Sequence, residues 1–319
     1  MNVRVASAAR SRWLELACAL LPLVVAACGP AQQVTASPPQ ASPLEFVGEW
    51  GMKGEGPGEL ADPAGIAVDL NNRVYLADRR TGLLQKFESS GVPSLAYSDA
   101  SVRSTSALTV DSGDAIYVAD ARGGRVWIHF PEGDPLRNFR VIPQRAADAF
   151  SGFCVTADGR IIVPDPDGGR IQAFAAAGRL ESTWKLPPSP AGKSARPVAV
   201  AAGLDEFVYI ADSASGRIAK FTNRGAQVAL WDAPADAVSA PLRGIGVSRS
   251  HLFALRGVEP QLEVWTFDGV RVLTDTLGGR LNAAPPAAVY FAVSRDEQIF
   301  VLDAGRQRVL RFRLNLQPR

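Results

Sequence analysis

One short pattern recurs along this chain and limits what it can fold into. Apolar runs of five residues, most of them closed by aspartate, read VYLAD at 74–78, IYVAD at 116–120, IIVPD at 161–165, VYIAD at 208–212, LFALR at 252–256 and IFVLD at 299–303. Their last residues are 42, 45, 47, 44 and 47 apart, and residues 44–319 divide into six units of 46 with no remainder. A period of this size marks a repeat architecture, in which each unit buries its apolar surface only against its neighbours.

Each unit carries four strand-like pieces. An alternating segment precedes the run: GIAVD at 65–69, ALTVD at 107–111, FCVTA at 153–157, VAVAA at 198–202, GIGVS at 244–248 and YFAVS at 290–294. Nine residues after each run's end stands Phe87, His129, Phe174, Phe221, Trp265 or Phe312, five of them aromatic in a fixed register. An outer piece follows at 93–98, 136–142, 180–186, 226–232 and 270–276, but none follows the sixth unit. The segment EFVGEW at 45–50 precedes any complete unit and can supply that strand. Runs apolar on both faces fit strands buried between stacked sheets, and closing a ring with its first strand removes an exposed edge. The expectation is an all-β, six-bladed β-propeller of four-stranded blades, with the strand at about 45–50 completing the last blade.

The aspartates that end the runs, Asp78, Asp120, Asp165, Asp212 and Asp303, stand before turns that hold glycine four residues on in four of the six copies. An aspartate there can accept bonds from the turn's backbone amides, so these five read as structural turn locks rather than catalytic acids. The fifth unit departs most, with Arg256 in place of aspartate and Pro260 in place of glycine, so the ring is expected to differ locally there.

The stretch ADPAGIAVDLNNRVYLADRRTGLLQKFESSG at 61–91 closely resembles an NHL repeat, and the GEGPGEL before it resembles the loop leading into one. The resemblance extends over residues 44–319, strongest in the first unit and fair in the second, fourth and sixth. The crowded glycines at 51–58 then serve chain reversal, since no Lys followed by Ser or Thr ends the loop and a strand follows it. GKS at 192–194 lacks the first phosphate-loop glycine, because Pro187 stands there, and DPDGG at 165–169 lacks the glycine and glutamate of a calcium loop.

Ahead of the repeats lie two segments of different character. Residues 1–27 carry Arg4, Arg10 and Arg12 before an apolar run from Leu16 to Ala27 that is too short for a spanning helix, the pattern of a signal peptide. Val25, Ala26, Ala27, Cys28 and Gly29 resemble a bacterial lipobox, which makes Cys28 the lipidation site; an ordinary small-residue cleavage site is the competing reading. Residues 28–43 are rich in Pro, Gln, Ala and Ser and read as a flexible tether. Gly29 after the cysteine resembles outer-membrane sorting, so the expected place is the cell envelope, lipid-anchored to the outer membrane and facing the periplasm or the exterior.

Removing residues 1–27 takes three basic residues and one acid from totals of 34 and 32, which leaves 31 of each. A formally neutral body with no basic tract excludes sequence-independent nucleic-acid binding. Cys154 has no partner beyond Cys28 in the mature chain and reads as a buried free thiol in a monomer.

Function depends on the site rather than the fold. NHL-like lyases and gluconolactonase-type propellers resemble this fold and use histidine or carboxylate clusters, generally with a metal. The mature chain holds two histidines: His129 fills an aromatic register position and His251 precedes a second strand on the opposite face. The residues leading into the inner strands offer almost no metal ligands, so neither cofactor nor metal is expected.

The loop-rich face instead carries Lys53, Arg79, Arg80, Arg103, Arg122, Arg145, Arg196, Arg243, Arg280 and Arg306 among Glu55, Glu59, Asp62, Asp148, Asp167, Asp236 and Glu259. That mixture suits a protein or peptide partner. Arg79, Arg80, Arg196 and Arg243 are the binding candidates, the last two for an anion at the channel mouth, against the alternative that they are solvated loop charges. The expected role is a membrane-tethered binding scaffold; the alternative is a lyase or lactonase of the same fold with an atypical metal site.

Overall fold

The computed structural model describes residues 43–120, 123–132, 135–141, 152–188, 192–234, 240–257, 259–277 and 290–316. The chain divides at Ala41/Ser42, and the second unit, Ser42–Arg319, is compact. The signal segment, Cys28 and the tether up to residue 42 lie outside the described residues, as do Arg122, Arg145, Asp148, Asp236 and Arg280.

The second unit is a six-bladed propeller of four-stranded antiparallel sheets. β1 spans Leu44–Trp50, and the first blade is β2 (Pro63–Val68), β3 (Val74–Asp78), β4 (Leu83–Phe87) and β5 (Pro93–Ser98). The second comprises β6 (Ala107–Val110), β7 (Ile116–Asp120), β8 (Arg125–His129) and β9 (Pro135–Arg140). The third holds β10 (Cys154–Val155), β11 (Ile161–Asp165), β12 (Arg170–Phe174) and β13 (Leu180–Lys185). In the fourth are β14 (Pro197–Ala202), β15 (Phe207–Asp212), β16 (Ile218–Thr222) and β17 (Gln227–Trp231). The fifth has β18 (Leu242–Val247), β19 (Leu252–Arg256), β20 (Gln261–Trp265) and β21 (Arg271–Thr276). The last comprises β22 (Tyr290–Val293), β23 (Gln298–Asp303) and β24 (Arg308–Leu314), with β1 paired outside β24 from Leu44↔Leu314 to Trp50↔Val309.

Among the described residues, helical structure is confined to short 3-10 turns such as Ala100–Ser104 and Ala304–Arg306. The shortest inner strand is β10, two residues long, in the third blade; the irregular fifth unit forms all four of its strands.

Every described residue of the apolar runs β3, β11, β19 and β23 is buried, as a strand covered on both faces must be. Burial of each such Leu, Val or Phe contributes about 1.5–3 kcal/mol. Neighbouring blades are joined by aromatic contacts. The outer-strand residues Trp50, Tyr97, Phe139, Trp184 and Trp231 meet the register residues Phe87, His129, Phe174, Phe221 and Trp265 of the next blade, at ring separations from 4.8 to 6.4 Å. The six inner strands β2, β6, β10, β14, β18 and β22 each touch the inner strands on either side, leaving a channel on the axis.

Candidate functional site

Antiparallel pairing sets which loops share a face. The start of β2 lies opposite the end of β3 (Pro63↔Asp78), and Pro197↔Asp212 and Leu242↔Arg256 repeat the arrangement. Turns after the second strands and loops leading into the inner strands therefore gather on one face, around one mouth of the channel.

Aspartates hold this face's backbone. In the first blade, Oδ1 of the buried Asp78 accepts from the backbone N–H groups of Arg80 and Thr81, both at 3.1 Å, and from the Thr81 hydroxyl. Its Oδ2 accepts from the N–H groups of Ala61 at 2.7 Å and Asp62 at 2.9 Å. One carboxylate thus ties the turn to the lead-in loop. Asp120 accepts from Gly123 N–H, Asp165 from Gly168 N–H and Arg170, Asp212 from the N–H groups of Arg196 and Ala214, and Asp303 from Arg306 N–H and Arg308.

The glycine-rich loop has its amides turned inward. Gly54 N–H donates to Leu60 O, Gly56 N–H to Glu59 Oε2 and Gly58 N–H to Gln85 Oε1, so no cradle is left for a phosphate. Gly51, at φ +126°, lies so close to the sixth blade that a Cβ would stand 2.7 Å from Gln307 O. Only glycine fits there.

The four binding arginines have separate settings. Arg79 is exposed and pairs in a two-pronged contact with Asp62 at 3.2 and 3.3 Å. Arg80 is exposed, and its carbonyl accepts from the Arg103 guanidinium. Arg196 is one-third exposed and reaches Asp167 of the preceding blade at 3.4 Å. Arg243 turns to the channel, whose volume is about 210 Å³ and whose wall includes Val68, Val110, Val155, Val247 and Phe291. Among the described residues lining it, Arg243 alone is charged. Tyr290, which sequence reasoning did not single out, lies within electrostatic reach of Arg79 and Asp62 at the start of β22, and burial pushes its phenol above the ordinary range.

The fifth blade replaces the aspartate joint by its opposite. Arg256, fully buried, donates to the carbonyls of Ala240 and Gly216 and pairs at 3.1 Å with Glu263, itself fully buried and also bonded to Arg271 and Trp265.

The far face is held differently. Asp69, Asp111 and Asp205 accept from the hydroxyls of Tyr75, Tyr117 and Tyr209 at 3.1, 2.9 and 2.6 Å. Burial, reinforced by these carboxylates, raises all three phenols above their usual range. The signal was an aspartate four or six residues before the run's tyrosine, which attention to the run-ending aspartates passed over.

Neither histidine faces the channel mouth that carries Arg243. His129 has no exposed surface and lies against Tyr97 with the rings tilted at 43°, its Nε2 3.2 Å from Ser101 Oγ. His251, on the far face, places Nδ1 2.6 Å from Glu297 Oε1. Among the described residues, no three His, Cys, Asp or Glu side chains converge as a metal requires.

Comparison with known proteins agrees with this architecture. The model of the NHL repeat matches residues 60–87. No curated protein sequence matches. Among solved structures, virginiamycin B lyase from Staphylococcus aureus aligns with TM-score 0.57 at 13% identity, over 79% of this chain and 95% of that one. A streptogramin B lyase aligns with TM-score 0.58 at 15% identity, over 85% and 97%. A catalytically inactive histidine-to-alanine variant of the Staphylococcus aureus enzyme, with quinupristin, gives TM-score 0.58 at 13% identity, over 86% and 90%. At such identities the likeness establishes the fold alone.

Proposed function

We propose that this NHL-repeat propeller is a binding module that engages a protein or peptide partner through the face bearing Arg79, Arg80, Arg196 and Arg243. One observation carries the reading: the channel mouth on that face combines a backbone locked by buried carboxylates with an apolar wall and one guanidinium. Among the described residues no cluster of His, Cys, Asp or Glu stands there to hold a metal, and rigid loops with mixed charge suit recognition. The lyase reading rests on fold likeness. The inactive variant among those structures shows that the Staphylococcus aureus enzyme needs a histidine, whereas here one histidine is sealed between blades and the other is on the far face.

The module is lipid-anchored at Cys28 in the cell envelope, in this proposal. Support comes from the sequence, in which Val25, Ala26, Ala27, Cys28 and Gly29 resemble a lipobox at the end of an apolar run.

The test is crosslinking in intact cells followed by binding of each purified candidate to the wild type and to a variant with Arg79, Arg80, Arg196 and Arg243 changed to Glu. A partner bound directly by the wild type and lost with the folded variant supports the reading. Partners indifferent to the variant, or none, would remove it and direct attention to a lyase and lactonase substrate panel.

A further inference from the structure

The position of Arg243 is special within the repeat. In β18 the pairing with β19 passes from Leu242↔Arg256 directly to Gly244↔Leu255, so Arg243 occupies a β-bulge. β2 and β14 carry the same irregularity, between Pro63 and Gly65 and between Pro197 and Ala199, and there the extra residues are Ala64 and Val198. A bulge re-aims the side chain it carries. In the fifth blade alone of these three, a long cation is so placed, and it lines the channel.

The strand beneath it is pinned. A Cβ on Gly244 would stand 2.7 Å from the Phe291 ring and one on Gly246 2.8 Å from Val293, so β18 lies against β22 more closely than any larger residue allows. The base of Arg243 is therefore fixed by packing rather than by a loop. A site on rigid strands holds a ligand geometry that a loop does not.

We infer that this mouth of the channel takes a carboxylate borne on a short aliphatic stem, its oxygens held by Arg243 and its stem laid against the wall at Gly152, Ala199 and Phe291. The inference deepens the binding-surface reading by naming the group that enters the face. Size sets one limit: about 210 Å³ is the space of roughly seven waters, enough for a small acid or the tip of a peptide but not for a helix about 10 Å across. Charge sets the other. A guanidinium carries five donors in a planar fork that matches a carboxylate, so it can keep a protein neighbour and still grip one. A dianionic phosphate would leave its second charge uncompensated against an apolar wall.

The probes are pentanoate, its uncharged isostere pentanamide, and N-acetyl-alanyl-valine with a free or amidated carboxyl terminus, titrated by calorimetry against the full chain. Pentanoate is expected to bind the wild type, with pentanamide and the Arg243→Met variant each weaker by about tenfold or more. Gly152→Val, which narrows the channel near Arg243 at a position where an added Cβ meets nothing closer than Ala199 at 3.6 Å and which leaves every arginine in place, is expected to weaken pentanoate likewise, with melting temperature as the control for folding. Displacement of pentanoate by the free peptide and not by its amide identifies a peptide terminus as the source; displacement by neither identifies a free acid, and both agree with the inference. Equal binding of acid and amide, equal binding by wild type and Arg243→Met, or no binding of pentanoate overturns it. The two readings fail separately: a partner lost with the four-glutamate variant while pentanoate never binds leaves the surface standing and removes the channel.

Discussion

Arg256 and Glu263 form an ion pair of 3.1 Å between two side chains without solvent exposure, and it reverses the polarity of the joint found in the other blades. Where Asp78 collects backbone N–H donors, Arg256 gives its own to the carbonyls of Ala240 and Gly216. The charge at 256 requires an opposite one nearby, and Glu263 stands on the neighbouring strand β20 to supply it. Removing one partner of a buried pair leaves an uncompensated charge, at a cost of about 3–5 kcal/mol, whereas replacing both with apolar residues is often close to neutral. Glu263→Leu is therefore expected to lower stability to urea by about that amount, and Arg256→Met with Glu263→Leu to recover at least half. A double variant no better than the single would show that the pair is not coupled.

Asp78 has a different burden, because its carboxylate satisfies four backbone amides across two segments. Asp78→Ala leaves those donors without an acceptor and is expected to destabilise by about 2–4 kcal/mol, with faster hydrogen exchange at Ala61, Asp62, Arg80 and Thr81. Asp78→Asn keeps one acceptor oxygen and should lose less. Uniform protection of these four amides in Asp78→Ala would show that the joint does not depend on the carboxylate.

Much of this organisation was legible in the residues. The register residues Phe87, Phe174, Phe221, Trp265 and Phe312 and the run-ending aspartates recur at fixed offsets, because each repeat meets the same two neighbours. Their partners recur as well, Tyr97, Phe139, Trp184 and Trp231 each standing 19 residues after a run's end, a register the sequence reading passed over. What the period does not show is the pairing itself, because Trp231 stacks on Trp265 and Trp50 lies beside Phe87 across a blade boundary. The fifth unit's Arg256 read as a defect, since its compensation by Glu263 depends on strand pairing and burial rather than on the repeat pattern. At the site, sequence placed Arg79, Arg196 and Arg243 on one face but could not tell a guanidinium engaged with Asp62 or Asp167 from one lining a channel. That distinction rests on a bulge, which a one-residue irregularity in pairing creates without a sequence signature.

The buried phenols make stability sensitive to alkali. Burial and the carboxylates of Asp69, Asp111 and Asp205 raise Tyr75, Tyr117 and Tyr209 well above the ordinary value of 10.0. In the unfolded chain these groups lose their protons near that value while the native ones keep them. The unfolded state then binds fewer protons, so native stability is full below about pH 10 and falls as pH rises beyond it. Urea midpoints measured from pH 8 to 11.5 are expected to decline above pH 10, and Tyr75→Phe, Tyr117→Phe and Tyr209→Phe together should flatten the decline. An unchanged slope in the triple variant would exclude these phenols as its source.

The last blade depends on a strand from the other end of the domain. β1 covers the edge of β24, buries Leu44 completely, places Phe46 5.5 Å from Phe312, and brings Trp50 within 4.8 Å of Phe87 in the first blade. Arg308 adds an ion pair with Glu49 at 2.6 Å. Without residues 44–50, β24 presents a row of unpaired backbone groups while two aromatic rings lose their cover, and such an edge templates pairing with another chain. Deleting Leu44–Trp50 is therefore expected to yield aggregated or unfolded protein, read by light scattering and near-ultraviolet circular dichroism. Replacing Trp50 by Ala, which keeps the backbone pairing, should instead give a monomer that melts at lower temperature. A deletion variant that stayed monomeric with the wild-type melting temperature would show that β24 is stable as an edge and that the ring holds without its first strand.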